Sequence, residues 1–313
     1  MGRVERLLHS LDGFQQRHRV PAVLWAVQKK YSDDRGGHLA ALIAYYGFLS
    51  LFPCLLVLLT IFSYLLASHP ALKDRLANGT LGSFPVVGET LRGHVLHGNV
   101  LAIVLGGLAL LWGAQGVSQA LQFAMFEMWN VKGYQRPGFL PGLARSALLF
   151  GFVGLGTVLT TWVTTFGSVL DWGPGGSVLA ALPSSVLNIG LYEASFKILS
   201  PRSAAWRDLV PGAALAAASW QALQTVGVNL VHHQVAHASA LYGSIGTVIG
   251  ALGFLYLAAR LTVYCAELNV VLHKHLWPRS LVPPPRLEAD RRQLVELAQR
   301  EERHRGERVT VDF

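Results

Sequence analysis

The sequence predicts an all-α polytopic membrane protein, a bundle of six transmembrane helices with cytoplasmic N- and C-termini, and three observations predict it. Charged residues make up 14% and hydrophobic residues 52% of the 313 positions, whereas a soluble domain carries about 25% charged residues. Six apolar stretches approach or exceed the roughly 18 residues that cross a hydrocarbon core as a helix. Lys and Arg collect on one set of alternating loops, as the cytoplasmic side of a membrane requires.

The first span is the clearest. Residues 39–60 read LAALIAYYGFLSLFPCLLVLLT, with no charged residue or histidine. Pro53 lies in its interior, where a missing N–H and a ring clash are expected to kink or break the helix. Tyr45 and Tyr46 lie nearer the cytoplasmic end, placed to satisfy freed backbone groups or to anchor at headgroups. Further spans fall at about 99–119, 146–170, 179–199, 209–231 and 245–268. The fourth is the weakest, since it contains Pro183, Glu193 and Lys197. With six spans, one side receives loops and ends carrying 7, 3, 2 and 9 Lys and Arg, against 3, 0 and 0 on the other.

This divides the chain into a leader at 1–37, a six-helix transmembrane domain at 38–273 and a charged tail at 274–313. The leader places Val4, Leu7, Leu8, Leu11 and Phe14 at helical spacing among four arginines, a pattern that suits an anionic membrane surface or the cytoplasmic face of the bundle. A 37-residue polar leader before the first apolar run is not the layout of a cleaved signal. The tail is dense in both signs of charge and reads as a solvated or disordered helix. Cys54 and Cys265 both fall in apolar runs and read as small buried hydrophobes. Pro53 and Pro211 interrupt noncorresponding spans of the two halves, so an inverted repeat receives little support.

Polar residues inside spans carry the functional information, because an ionisable group there must face protein or water. Arg260 lies just past the middle of span six, and Glu193 at a similar depth of span four is its expected partner, with Lys197 one turn away and Glu267 as the alternative acid. Gln115, Ser118, Gln119 and Gln122 recur on one face of span two, and span five offers Gln221 and Gln224. These amides either bond across helices or line a polar path. Gly243, Gly246, Gly250 and Gly253 form a seam along span six that would let another helix backbone approach. His232, His233 and His237 have helical spacing but no nearby cysteine or carboxylate, so no metal is expected there. No cofactor is expected.

Four stretches resemble the YihY/BrkB family of bacterial inner-membrane proteins, long labelled ribonuclease BN: ALIAYYGFLSLFPCLLVL, WGAQGVSQALQFAMFEMWNVKGYQRPGFL, WRDLVPGAALAAASWQ and ALYGSIGTVIGALGFLYLAARLTVYCAELN. They run in order from about residue 40 to 273. The resemblance implies six helical spans with cytoplasmic ends. It also implies that Tyr45, Tyr46, Pro53, Trp206, Arg207, Asp208, Pro211, Gly212, Tyr242, Gly243, Glu267 and Asn269 occupy motif positions. The chain departs from the family at FEMWNV, where Glu127 and Met128 replace a common basic residue.

Three functions follow as expectations. The first is a transporter or flippase-like conduit for a lipid, small solute or ion. A scaffold for envelope integrity is the second, with leader and tail as contacts to an envelope protein or a second copy. A ribonuclease is the third, and the sequence argues against it: Asp33, Asp34, Glu127 and Asp208 lack metal-ligand spacing, and the +8 charge follows from topology rather than from RNA binding. Membrane lipids are the expected partners, and no nucleic acid is.

Overall fold

A computed structural model describes residue 10 and residues 12–67, 100–169, 176–230, 236–281 and 287–313. Among the described residues the main helices follow in order: α1 Arg19–Asp33, α2 Gly36–Ala67, α3 Val100–Met128, α4 Phe139–Val169, α5 Gly176–Leu199, α6 Trp206–Leu230, α7 Ala236–His273 and α8 Glu288–Arg300, with a 3-10 turn at Gly133–Gln135. No strand occurs among the described residues. Among them, the stretches Gly36–Val57, Val104–Met128, Phe139–Val163 and Val248–His273 are long and apolar enough to cross a membrane.

The chain forms two compact units, residues 45–117 and the remainder. In the larger unit α4 packs on α5, α5 on α6, α6 on α7, and α7 on α1. Small side chains make this possible. Ala40, Ala44, Ala124, Ala213, Ala216, Ala259 and Ala266 are all buried in one cluster with Phe196, Leu209 and Val263, so helix backbones approach closely where lipid gives no hydrophobic drive for association. In the smaller unit a Cβ on Gly116 would stand 2.5 Å from the Tyr46 ring, and one on Gly113 would stand 3.1 Å from Ser50 Cα. Tyr46 is therefore a packing residue against α3, while Tyr45 meets it edge to face at 5.4 Å and is itself exposed.

Pro53 does not break its helix: α2 continues through it to Ala67. One missing hydrogen bond within 32 helical residues leaves the turns on either side intact. The described part of the leader, α1, packs on the bundle, whereas Val4, Leu7, Leu8 and Leu11 lie outside the described residues. Ala26 and Val27 of α1 pack with Val271, Leu268 and Trp277. After Asp34 the chain reverses through Arg35 at φ 55° and enters α2 at Gly36, where a Cβ would fall 2.3 Å from the Tyr31 ring. Only glycine fits beneath that ring.

α6 and α7 meet most closely at Gly212. Pro211 has no N–H to donate, and the next amide, that of Gly212, donates to Asn269 Oδ1 at 2.7 Å. A Cβ on Gly212 would lie 2.2 Å from the Cys265 carbonyl oxygen and 2.4 Å from Asn269. Gly212→Ala should therefore force two backbones apart, costing about 1–3 kcal/mol or more. The expected outcome is a lowered unfolding temperature of the detergent-purified protein, read by thermal scanning with size-exclusion chromatography.

Candidate functional site

The terminal end of the larger unit carries a buried lattice of charges. At its centre is Lys30, whose ammonium is fully buried. It donates to Asp34 Oδ2 and to the Met128 carbonyl at 2.7 Å, and it stands 3.2 Å from Glu267 Oε2. The side chains of Asp34 and Glu267 are also fully buried. Burial by itself pulls the Lys30 pKa down, but the adjoining Glu267 and Asp34 carboxylates outweigh it and hold the value above normal.

The lattice extends outward from this centre. Arg300 of α8 reaches Asp34 at 3.3 Å and Glu127 at 3.0 Å, and Arg136 takes the other oxygen of Glu127 at 2.7 Å. Lys274 bonds the Trp129 carbonyl at 3.0 Å and Glu296 at 2.5 Å, and Asn130 reaches the same Glu296 oxygen at 2.9 Å. A second node is Asp290, which accepts from Lys29 at 2.8 Å, Arg279 at 2.9 Å and the Ser280 amide at 2.9 Å. Arg279 in turn pairs with Asp33 at 2.8 Å. Burial favours the neutral form of Asp290, yet bonds from Lys29, Ser280 and Arg279 prevail and hold its pKa below the usual carboxylate value.

One face of the tail helix is thus packed and not solvated: Asp290 and Gln293 are fully buried, while Glu288 and Arg292 on the other face are exposed. Asp208 has a double role. Its carboxylate accepts the Ala205 amide at 3.2 Å, the return half of a capping box at the start of α6, and it lies 2.7 Å from His273 Nδ1.

The expected intramembrane charge cluster is rearranged. Glu267 is in a buried cluster, but with Lys30 and Asp34. Among the described residues no ion pair joins Arg260 to Glu193 or to Glu267. Arg260 is exposed and stands beside Tyr31 and Tyr264, because its face of α7 looks onto α1 and not onto α5. Glu193 is half-buried, and Lys197 donates to the Ala204 carbonyl.

The amides divide as well. Gln122 is a brace between α3 and α4, bonded to Ser118, Gly142 and Ser146 at 3.3, 3.2 and 3.1 Å. Gln115 buries its amide nitrogen without a hydrogen-bond partner. Gln119, Gln221 and Gln224 are exposed. Among the described residues, nothing lies within 4 Å of a Cβ built at Gly250 or Gly253 of the glycine seam. Gly246 is half-buried, while the side-chain surroundings of Tyr242, Gly243 and His237 lie outside the described residues, as do His232 and His233 altogether. Sequence reasoning missed Lys30, Arg279, Asp290 and Arg300, which lie in charge-rich runs with no apolar period to mark their buried face.

Two outcomes are expected. Lys30→Met should leave Asp34 and Glu267 buried beside no ammonium and cost about 3–5 kcal/mol; adding Glu267→Met should recover part of that loss, read as coupling in a thermal double-mutant cycle. Because Asp290 has a lowered folded pKa, its contribution is complete above the unfolded value of about 4 and is lost as pH falls through the folded value. Hydrogen exchange should show Glu288–Arg300 protected at neutral pH and released by acidification below about 4.

The comparisons with known proteins agree with this architecture. The chain is 27% identical over 288 residues to an uncharacterized protein of Dickeya dadantii strain 3937, covering 82% of this chain and 85% of that one. It is 25% identical over 260 residues to the ribonuclease-like protein YfkH of Bacillus subtilis strain 168, covering 78% and 93%. It is 23% identical over 274 residues to the inner membrane protein YhjD of Escherichia coli strain K12, covering 80% and 81%. No solved structure matches. The Virulence factor BrkB family model matches residues 27–286, and the chain belongs to that family of multi-pass inner-membrane proteins.

Proposed function

We propose that the chain crosses the inner membrane six times with both ends in the cytoplasm and serves as a conduit for a lipid, small solute or ion. Helices α2 to α7 each have 24 residues or more, long enough to span. The leader and tail meet through Lys29 and Asp290, which supports an even number of crossings. The basic bias of the loops supports a cytoplasmic face.

One observation carries the conduit reading. Gln119, Gln221, Gln224 and Arg260 are exposed on helices that hydrocarbon would surround, and polar groups in that position are costly unless water or a polar cargo meets them. The buried amide brace at Gln122 is what structural use of glutamine looks like here, and these residues lack it. A small cleft of about 10 Å³, room for about one water, lies between α5, α6 and α7 and is lined by Tyr192, Ser219, Trp220 and Thr262.

The scaffold reading has less support, since Lys29 and Lys30 of α1 and Asp290, Glu296 and Arg300 of α8 are engaged in the chain's own lattice. The ribonuclease named for the Bacillus subtilis relative is not carried over. Asp34, Glu127 and Glu267 are engaged by Lys30, Arg136 and Arg300, so they are not free to gather a hydrolytic metal.

Reconstitution tests the proposal. Liposomes holding the protein should scramble a fluorescent phospholipid or pass a solute or ion faster than empty liposomes. Gln221→Leu with Gln224→Leu should slow that flux about tenfold, a barrier change of ~1.4 kcal/mol, with no loss of thermal stability. Rates equal to those of empty liposomes for every cargo class would end the reading.

A further inference from the structure

One group at the terminal end takes no part in the charge lattice. Arg260 is exposed, and among the described residues no carboxylate pairs with it. Its guanidinium carbon lies 5.9 Å from the Tyr31 ring centroid and 5.7 Å from that of Tyr264. Those two rings are stacked on each other, 4.0 Å apart and 8° from parallel. A point nearly equidistant from two parallel rings so close together lies beside the stack and not on either face. The guanidinium therefore rests at the rim of the pair, and its N–H fork is not spent on an acid.

The surroundings supply more donors. Tyr31 is only 7% exposed, its hydroxyl oxygen faces the Arg260 guanidinium, and among the described residues its O–H has no acceptor, a costly state for a polar group unless one arrives. A Cβ built on Gly37 would stand 3.8 Å from the Tyr31 hydroxyl and 3.7 Å from that of Tyr256. Both hydroxyls thus converge over a residue without a side chain. Tyr264 spends its own O–H on Gln28 at 2.8 Å, which fixes the outer ring of the stack.

A planar cation with several N–H groups, joined by two hydroxyl donors, matches an oxyanion offering three or more acceptor oxygens. Arg260 lies within the apolar stretch Val248–His273, two helical turns, about 10 Å along the axis, before the buried Glu267, and it stands beside Tyr31 of α1. We propose that Arg260, with the Tyr31 and Tyr256 hydroxyls over Gly37, binds an anionic phosphate group. The site as cargo contact rests on the conduit reading; binding itself does not.

Native mass spectrometry of the full chain in detergent tests it, with phosphatidylglycerol and phosphatidylcholine as probes and inorganic phosphate as competitor. Phosphatidylglycerol should be retained about tenfold better than phosphatidylcholine. Arg260→Gln and Tyr31→Phe should each erase most of that preference; the second keeps the ring and its stack, so it guards against a folding defect. Displacement of the lipid by inorganic phosphate would assign the site to phosphate groups in general, and retention against it to a lipid headgroup. The proposal falls if neither phosphatidylglycerol nor phosphate binds. It also falls if Arg260→Gln keeps the preference while Arg17→Gln with Arg19→Gln removes it, since that would place binding on the basic leader. Binding without flux would remove the conduit reading and leave the site, whereas flux with an unchanged preference in Arg260→Gln would do the reverse.

Discussion

Everything at the terminal end depends on one ammonium group out of water. Lys30 comes from α1, Asp34 from the turn into α2, the Met128 carbonyl from the end of α3, and Glu267 from α7. A lone buried charge is prohibitively costly, and even a single pair often fails to recover its desolvation. The arrangement holds only when all these elements are in place, so the ion works as a registration pin more than as a source of net stability. The sign of the Lys30 shift agrees. A folded pKa above the ordinary lysine value means its contribution is complete below about 10.4 and lost only as pH rises through the folded value, so the pin is fully set at neutral pH. Arg300 of α8 adds a second cation beside Asp34. The tail helix is thereby drawn onto the leader.

Close packing has the same dependence on small, specific groups. Gly36 lies under the Tyr31 ring and Gly212 lies against the Cys265 carbonyl, so two of the tightest helix approaches in the larger unit are set by missing side chains. Asn269 then supplies an acceptor beside Pro211, where the proline has interrupted the α6 bonding pattern. The motif positions Asp208, Pro211, Gly212 and Asn269 therefore describe one physical object, the joint between α6 and α7, while Glu267 on α7 faces Lys30 of α1.

The apolar runs made the helices legible, because length and absence of charge are local properties of the chain. Partners were not legible in the same way. The run QKKYSDDRGG looks like a solvated surface, yet Lys30 and Asp34 in it are fully buried. Helix α8 conceals its packing face for a related reason. Its buried side chains are Ala289, Asp290 and Gln293, while Leu294 is 38% exposed, so a search for an apolar stripe selects the wrong face. Spacing placed Gln115, Gln119 and Gln122 on one side of a helix, but only the neighbours distinguish the braced Gln122 from the exposed Gln119. The glycine seam makes the same point: a period identifies a face, and among the described residues none stands within 4 Å of a Cβ built at Gly250 or Gly253.

Lys30 and Tyr31 are adjacent in α1, and this adjacency joins the lattice to Arg260. Glu267 and Arg260 are seven residues apart on α7, which returns them to nearly the same side of the helix. The acid meets Lys30, and the guanidinium meets the ring that follows it. Tyr31 cannot swing away without carrying a backbone whose neighbour is held by two carboxylates and a carbonyl, and its ring is pressed on Gly36 at the start of α2. A hydroxyl supported in this way is fixed before any ligand comes, so binding at Arg260 would cost little ordering of the protein. The ring is packed against Tyr264 of α7 as well as Gly36 of α2, so the site joins three helices.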